Sequence, residues 1–321
     1  MKNDEGSGCG PDAGHGVGAQ WVAAPAKLNL YLHVLGRRDD GYHLLDSLMT
    51  FVHVGDSICA EPAHDLSLTV EGPFAEGLDK GEDNLVLRAA RGLADACGVT
   101  AGARIRLVKN LPLASGLGGG SADAAATLRA LCHLWRLSPA PEDMVVLALG
   151  LGADVPFCLA REAGFVGGIG ESLEPAAVPP PGAPAVWAVL INPSAALSTP
   201  EVFAAREGPF SQPGRFKDMP GDAAELAALL KERNNDLTQA AVFLAPEVGD
   251  VLGTLEVSGG CLLARMSGSG ATCFGLFGGE ADAHQAAAAI SKATPRWWVV
   301  ATRLTADSAK VTIDTEIPAA F

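Results

Sequence analysis

Hydrophobic and polar residues alternate strictly from Ala26, with Leu28, Leu30, Leu32 and Val34 on one face and Lys27, Asn29, Tyr31 and His33 on the other. A period of two predicts a half-buried strand, and Lys27 and Asn29, two positions apart, project to the same side of it. The polar stretch GRRDDGYH follows, with Asp40-Gly41 marking a turn, and LLDSLMTFVHVGDSICA resumes strand-like material. Further strands are predicted over 66–70 and 103–108. Between them the spacing of Leu85, Ala89, Leu93 and Cys97 predicts a helix.

Leu128, Leu131, Cys132 and Trp135 fall at i, i+3, i+4 and i+7, one apolar stripe of an amphipathic helix. The glycine-rich stretch GLGGGS leads straight into it. Ser138 and Pro139, followed by Glu142 and Asp143, predict the start of another helix, and Gly150 and Gly152 its end. EPAAVPPPGAP, at 174–184, is the clearest change of composition, and a new strand, AVWAVLI, follows it. A helix near 222–233, a hairpin CLLARMSGSGATCFGLF turning at Gly268–Gly270, a helix near 282–292 and a strand RWWVVATRL complete the pattern. Strands and helices mix without regular βαβα alternation, which predicts an α+β fold. The chain divides into an extension over 1–20, an N-terminal domain over 21–173 and a C-terminal domain over 174–321.

Composition narrows the function. The 321 residues are 48% hydrophobic and carry a formal net charge of −14, so a broad basic surface for nucleic acid or anionic lipid is not expected. Seven cysteines without a C-x-x-C pair predict reduced thiols in the cytoplasm rather than disulfides or a zinc site. Residues 1–20 hold six glycines and no apolar run, reading as a disordered extension and not a signal peptide. No stretch approaches the roughly 18 uninterrupted apolar residues of a membrane helix. The expectation is a soluble cytoplasmic protein, monomer or homodimer, acting on a small molecule.

GLGGGS alone reads as well as a flexible connector as an anion site. Its position favours the second: free backbone N–H groups and the positive end of a helix converge there, and glycine admits an anion without a Cβ in the way. A Walker A loop needs Gly-Lys followed by Ser or Thr, and no such triplet occurs. A dinucleotide fingerprint would place Ser121 at its third glycine. Asp154, in GLGADVPFCL, reads singly as a cap or turn former, and Lys27 as a solvated strand residue.

Taken together, PAKLNLYLHV, LPLASGLGGGSADAA and MSGSGATCFGLF resemble, in order and spacing, the three motifs of the GHMP kinase superfamily, named for galactokinase, homoserine kinase, mevalonate kinase and phosphomevalonate kinase. With DDGYH, DNLVLRAA, GADVPF and NDL, they are nearest the branch acting on cytidine-diphospho-methylerythritol. The resemblance runs from about Ala24 to near the C-terminus. It implies a domain similar to ribosomal protein S5 domain 2, a ferredoxin-like second domain, and transfer of the ATP γ-phosphate to the substrate 2-hydroxyl in a cleft between them. Lys27 and Asp154 match the catalytic pair. Gly116, Leu117, Gly118, Gly119, Gly120, Ser121 and Ala122 match the phosphate loop, Pro112 and Ser115 further ATP-binding positions, and Asn84, Leu85 and Lys109 the adenine border.

Asn29, Tyr42, His43, Thr199 and Phe203 match the substrate side, Tyr42 as a face for cytosine and His43 as its hydrogen-bonding partner; Gly268, Ser269 and Gly270 form the third glycine motif. Ala122 departs from the pattern, since many relatives carry a second serine there. No carboxylate cluster suggests a protein-built metal site, and Mg2+ is expected to arrive bound to ATP. Two alternatives stand beside this reading: a GHMP kinase for another small alcohol, such as homoserine or mevalonate, and a non-catalytic ligand sensor of the same fold.

Overall fold

The computed structural model describes residues 20–313. Of the extension assigned to 1–20, residues 1–19 lie outside that range, and Gln20 already opens a strand. The first half runs β1 (Gln20–Arg37), β2 (His43–Ala63), β3 (Ser67–Glu71), α1 (Leu85–Cys97), β4 (Gly102–Val108), α2 (Gly119–Leu134), α3 (Pro141–Leu151), α4 (Val155–Ala160), β5 (Gly164–Gly168) and β6 (Ser172–Pro175). The second runs β7 (Trp187–Asn192), α5 (Thr199–Ala204), α6 (Ala223–Lys231), α7 (Thr238–Leu244), α8 (Glu247–Glu256), β8 (Cys261–Met266), β9 (Cys273–Phe277), α9 (Glu280–Ala293) and β10 (Trp298–Thr305).

One sheet runs β3-β4-β2-β10-β7-β9-β8, with β1 and β5 also paired to β2 and β6 to β5. β10 joins the halves: Leu304 and Thr305 pair with Val52 and Phe51 of β2, and Trp298–Arg303 pair with β7. One core cluster takes all its buried residues from Ala24 to Val166, while two others combine β1 and β2 residues with the second half. The α+β expectation holds.

Three local expectations need correction. β1 is buried on both faces from Ala24 to Val34, not half-buried. Its polar face is roofed by the second half: Ser267 Oγ accepts from Asn29 N–H, and His33 Nδ1 meets the Gln212 carbonyl at 2.8 Å. α2 is not amphipathic either. Its residues from Ala122 to Leu128, with Ala130 and Leu131, are all buried, because small alanine side chains let the helix sink between the sheet and its neighbours. α3 starts at Pro141, with Ala140 as its cap, so Ser138 and Pro139 lie ahead of it; Gly150 is inside the helix and Gly152 caps it.

Candidate active site

The first and most informative contact joins Lys27 to Asp154. Lys27 Nζ lies 3.0 Å from Asp154 Oδ2, the lysine side chain 5% exposed and the aspartate 36%. Lys27 Nζ also donates to Asn29 Oδ1 at 2.6 Å, as their shared strand face requires. Asn29 is fixed in turn, its Nδ2 donating to Ser47 Oγ at 2.8 Å. Asp154 occupies the cap position of α4 yet makes no capping hydrogen bond. Its carboxylate faces the cleft, aimed at Lys27. α4 is held to β2 by Phe157 stacked on Phe51, ring centroids 4.6 Å apart, so core packing sets where Asp154 stands.

The glycine stretch wraps this pair. Lys27 N–H donates to the Leu117 carbonyl at 3.0 Å. Gly118, at φ 64°, caps α2, and a Cβ there would come within 2.8 Å of Lys27 Cγ. The first α2 bond runs from Ala122 N–H to the Gly118 carbonyl, leaving the preceding N–H groups ahead of the helix to meet an anion. Gly116, at φ 76°, packs on the third motif: a Cβ there would run into the Ser267 carbonyl and approach that of Gly270 to 2.8 Å. Ser267 Oγ donates to the Gly116 carbonyl and Thr272 N–H to that of Ser115, both at 3.1 Å. Asn235 holds the other side of the third motif through the Met266 and Gly268 carbonyls. Gly116→Ala is therefore expected to cost about 2 kcal/mol of stability, read by denaturant titration, and to weaken anion binding at the loop.

Lys27, Gly118, Asp154, Thr199, Phe203 and Ser269 line one cleft of about 1630 Å³, and Asn29, Tyr42, His43, Leu85, Lys109, Pro112, Ser115, Gly116, Gly119, Gly120, Ser121 and Gly268 line it with them. The other four assigned residues stand behind the wall. Asn84 caps α1, its Oδ1 accepting from Val86 N–H at 2.9 Å; Leu117 and Ala122 are buried in the core; Gly270 backs onto Met266 and Leu197. Leu85, one residue into α1, touches Gly120. Lys109 lies on the floor with its Nζ occupied by Asp56 at 2.5 Å and Asp123 at 2.8 Å.

At the other end, His43 stacks on Phe203 with ring centroids 4.9 Å apart and planes 23° apart. Tyr42 is 61% exposed at the rim. Burial, then Arg37 and Arg206, pull the His43 imidazole below its usual range. This end offers aromatic faces and a neutral ring nitrogen, suited to a planar heterocycle. Thr199 and Ser269 hydroxyls meet at 2.8 Å, tying α5 to the third motif.

Several supporting residues escaped the sequence reading: Ser47, Ser267 and Asn235, which fix the pair and the loops, and Asp56 and Asp123 on the floor. Ser267, Asn235 and Asp123 fall inside the stretches MSGSGATCFGLF, NDL and LPLASGLGGGSADAA; Ser47 and Asp56 carry no local signal. Among the described residues no group of three His, Cys, Asp or Glu is placed to hold a metal ion. No described helix is long and apolar enough to cross a membrane.

The fold and a Lys–Asp pair beside a helix-capping glycine cradle define a GHMP kinase. Residues 84–162 match the GHMP kinases N terminal domain and 216–296 the GHMP kinases C terminal family. The chain is 53% identical to 4-diphosphocytidyl-2-C-methyl-D-erythritol kinase of Paramagnetospirillum magneticum, over 88% of this chain and 98% of the relative. It is 50% identical to the Rhodospirillum rubrum enzyme of the same name, over 90% and 94%. A crystal structure of 4-(cytidine 5'-diphospho)-2C-methyl-D-erythritol kinase superposes with a TM-score of 0.69 at 38% identity, covering 89% of this chain and 99% of that one. The chain belongs to the 4-diphosphocytidyl-2-C-methyl-D-erythritol kinase family.

Proposed function

We propose that the cleft transfers the γ-phosphate of ATP to the 2-hydroxyl of 4-diphosphocytidyl-2-C-methyl-D-erythritol, the step expected of a kinase in non-mevalonate isoprenoid synthesis. The observation that carries this reading is the 3.0 Å Lys27–Asp154 pair set against the glycine cradle. Asp154 accepts the hydroxyl proton as the substrate oxygen bonds to the γ-phosphorus and the bond to the ADP oxygen breaks. A carboxylate is a weak base, but it suffices where positioning and electrostatics dominate phosphoryl transfer. Lys27 balances the charge that gathers on the transferred group, and Asn29 holds Lys27 in place.

The α2 N-terminus and Gly116–Ser121 hold the triphosphate, with Leu85 and Pro112 toward adenine. ATP supplies the phosphoryl group, and Mg2+ arrives as its complex. His43, Phe203 and Tyr42 take the cytosine. In the same reading the two domains divide at 173/174, and the six free cysteines among the described residues support a reducing cytoplasm as its compartment.

The test is an ATP-dependent phosphorylation assay with mapping of the product hydroxyl. A companion measurement isolates the substrate end: CDP at about 100 times its Kd is expected to stabilise the protein by about 2.7 kcal/mol in thermal denaturation. Stabilisation by homoserine or mevalonate and not by CDP or CMP would overturn the substrate assignment.

A further inference from the structure

Beneath the glycine loop, two carboxylates and one ammonium group are sealed from water. Lys109 is 2% exposed, Asp56 0% and Asp123 3%. Lys109 Nζ donates to Asp56 Oδ2 at 2.5 Å and to Asp123 Oδ2 at 2.8 Å. The two acids differ in what else they receive. Asp56 Oδ1 also accepts the N–H groups of Asn110 and Leu111, at 2.6 and 2.9 Å. Asp123 Oδ1 is buried with no hydrogen-bond partner among the described residues.

With every group ionised the cluster would carry a net negative charge, and a buried charge without compensation is strongly unfavourable. The acid receiving three donors is the one that stays ionised. The acid with an idle oxygen is the one that takes the proton. Burial first, and then the charge of Asp56, push the Asp123 carboxyl well above the usual carboxylate range.

The cluster is part of the cradle's foundation. Asp123 lies in the second turn of α2, whose first N–H groups face the cleft. A Cβ at Gly119 would stand 3.0 Å from Lys109 Nζ, so the cradle backbone passes close over the ammonium group with no room for a side chain between them. Lys109 follows β4 and, through Asp56, anchors Asn110 and Leu111, which lead into the loop. We propose that Lys109 and Asp123 are positioning residues for the triphosphate, with Asp123 kept as the neutral acid so that the floor under the phosphates bears no net charge. A net negative floor would oppose the triphosphate across a low-dielectric gap.

The inference rests on ATP occupying the cradle. The charged or titratable groups around Asp123 are Asp56 from β2, Lys109 after β4 and Cys158 in α4, with Lys27 from β1, Arg129 on α2 and Asp154 near Cys158. The Cys158 thiol is pushed up to about 12, first by burial and then by Asp154, and stays protonated. The buried positions of α1 and α3 are apolar.

The experiment compares wild type, Asp123→Asn, Asp123→Leu and Asp56→Asn by infrared difference spectroscopy and by titration with ATP and with the cytidylated substrate. The wild-type minus Asp123→Asn spectrum at neutral pH is expected to contain a protonated-carboxyl stretch. Asp56→Asn should lose that band too, because the one remaining acid then pairs with Lys109 as a carboxylate. Asp123→Leu should raise the ATP Kd at least tenfold with the substrate Kd changed less than twofold, and Asp123→Asn, which keeps the shape and neutrality of the acid, should restore ATP affinity to within threefold of wild type.

A carboxylate band at Asp123, an unfolded Asp123→Asn protein, or equal weakening of both ligands by Asp123→Leu overturns the proposal. If Asp123→Leu does not fold, the spectrum and Asp123→Asn decide. Wild type that binds ATP yet leaves the cytidylated compound unphosphorylated overturns the substrate reading alone, and the spectrum and ATP arms still judge the cluster. Wild type that binds no ATP overturns both.

Discussion

Asp154→Asn is expected to lower kcat by about 10² to 10⁴-fold while changing the KM of either substrate little. The substitution keeps size and shape but removes the base that takes the hydroxyl proton. Because Asp154 makes no capping bond to α4, the loss is chemical and not a failure of the helix. Lys27→Met should give a fall of similar order by withdrawing the charge beside the transferred phosphoryl group. The two act through one 3.0 Å contact, so the double variant should be far less impaired than the product of the single effects. Steady-state kinetics on the three variants check this. Wild-type kcat in both single variants would rule the mechanism out.

Lys109→Met is expected to produce the largest loss of stability, about 3–5 kcal/mol, the cost of leaving a buried carboxylate without its counter-charge. For a chain of this size that lowers Tm by roughly 10 °C. Asp56 loses its ion pair and must ionise alone or bind a proton while folded. With the ammonium group gone, burial disfavours charge on the acids left behind, so the deficit of the variant relative to wild type should shrink as pH falls and grow as pH rises. Thermal melts of both proteins from pH 5 to pH 8 test the point. Equal Tm values at pH 8 would show that the cluster contributes nothing to folding.

Much of the site was legible in one dimension because its parts are local. A period of two put Lys27 and Asn29 on one side of a strand, and their side chains do meet. A bare glycine stretch before a helix pattern marked the loop that caps α2 against Lys27. The errors share one physical origin. Periodicity reports which residues are polar, not what will cover them, so β1 read as half-buried although the second half roofs its polar face. The alanine-rich α2 read as amphipathic although small side chains allow burial all round. The partners of Lys109 went unread, because nothing near it in the chain announces Asp56 and Asp123.

The sequence by itself determined the local conformations: the alternation that makes β1 and the glycines able to adopt positive φ at 116 and 118. These follow from steric and hydrogen-bonding preferences acting over a few residues. Only the tertiary structure decided which of those pieces face one another: Asp154 turned from its own helix toward Lys27, His43 laid on Phe203, and Asp56 and Asp123 brought to one ammonium group. Those juxtapositions depend on how the sheet and α2 pack as wholes, a balance of many long-range contacts that no short stretch of chain encodes.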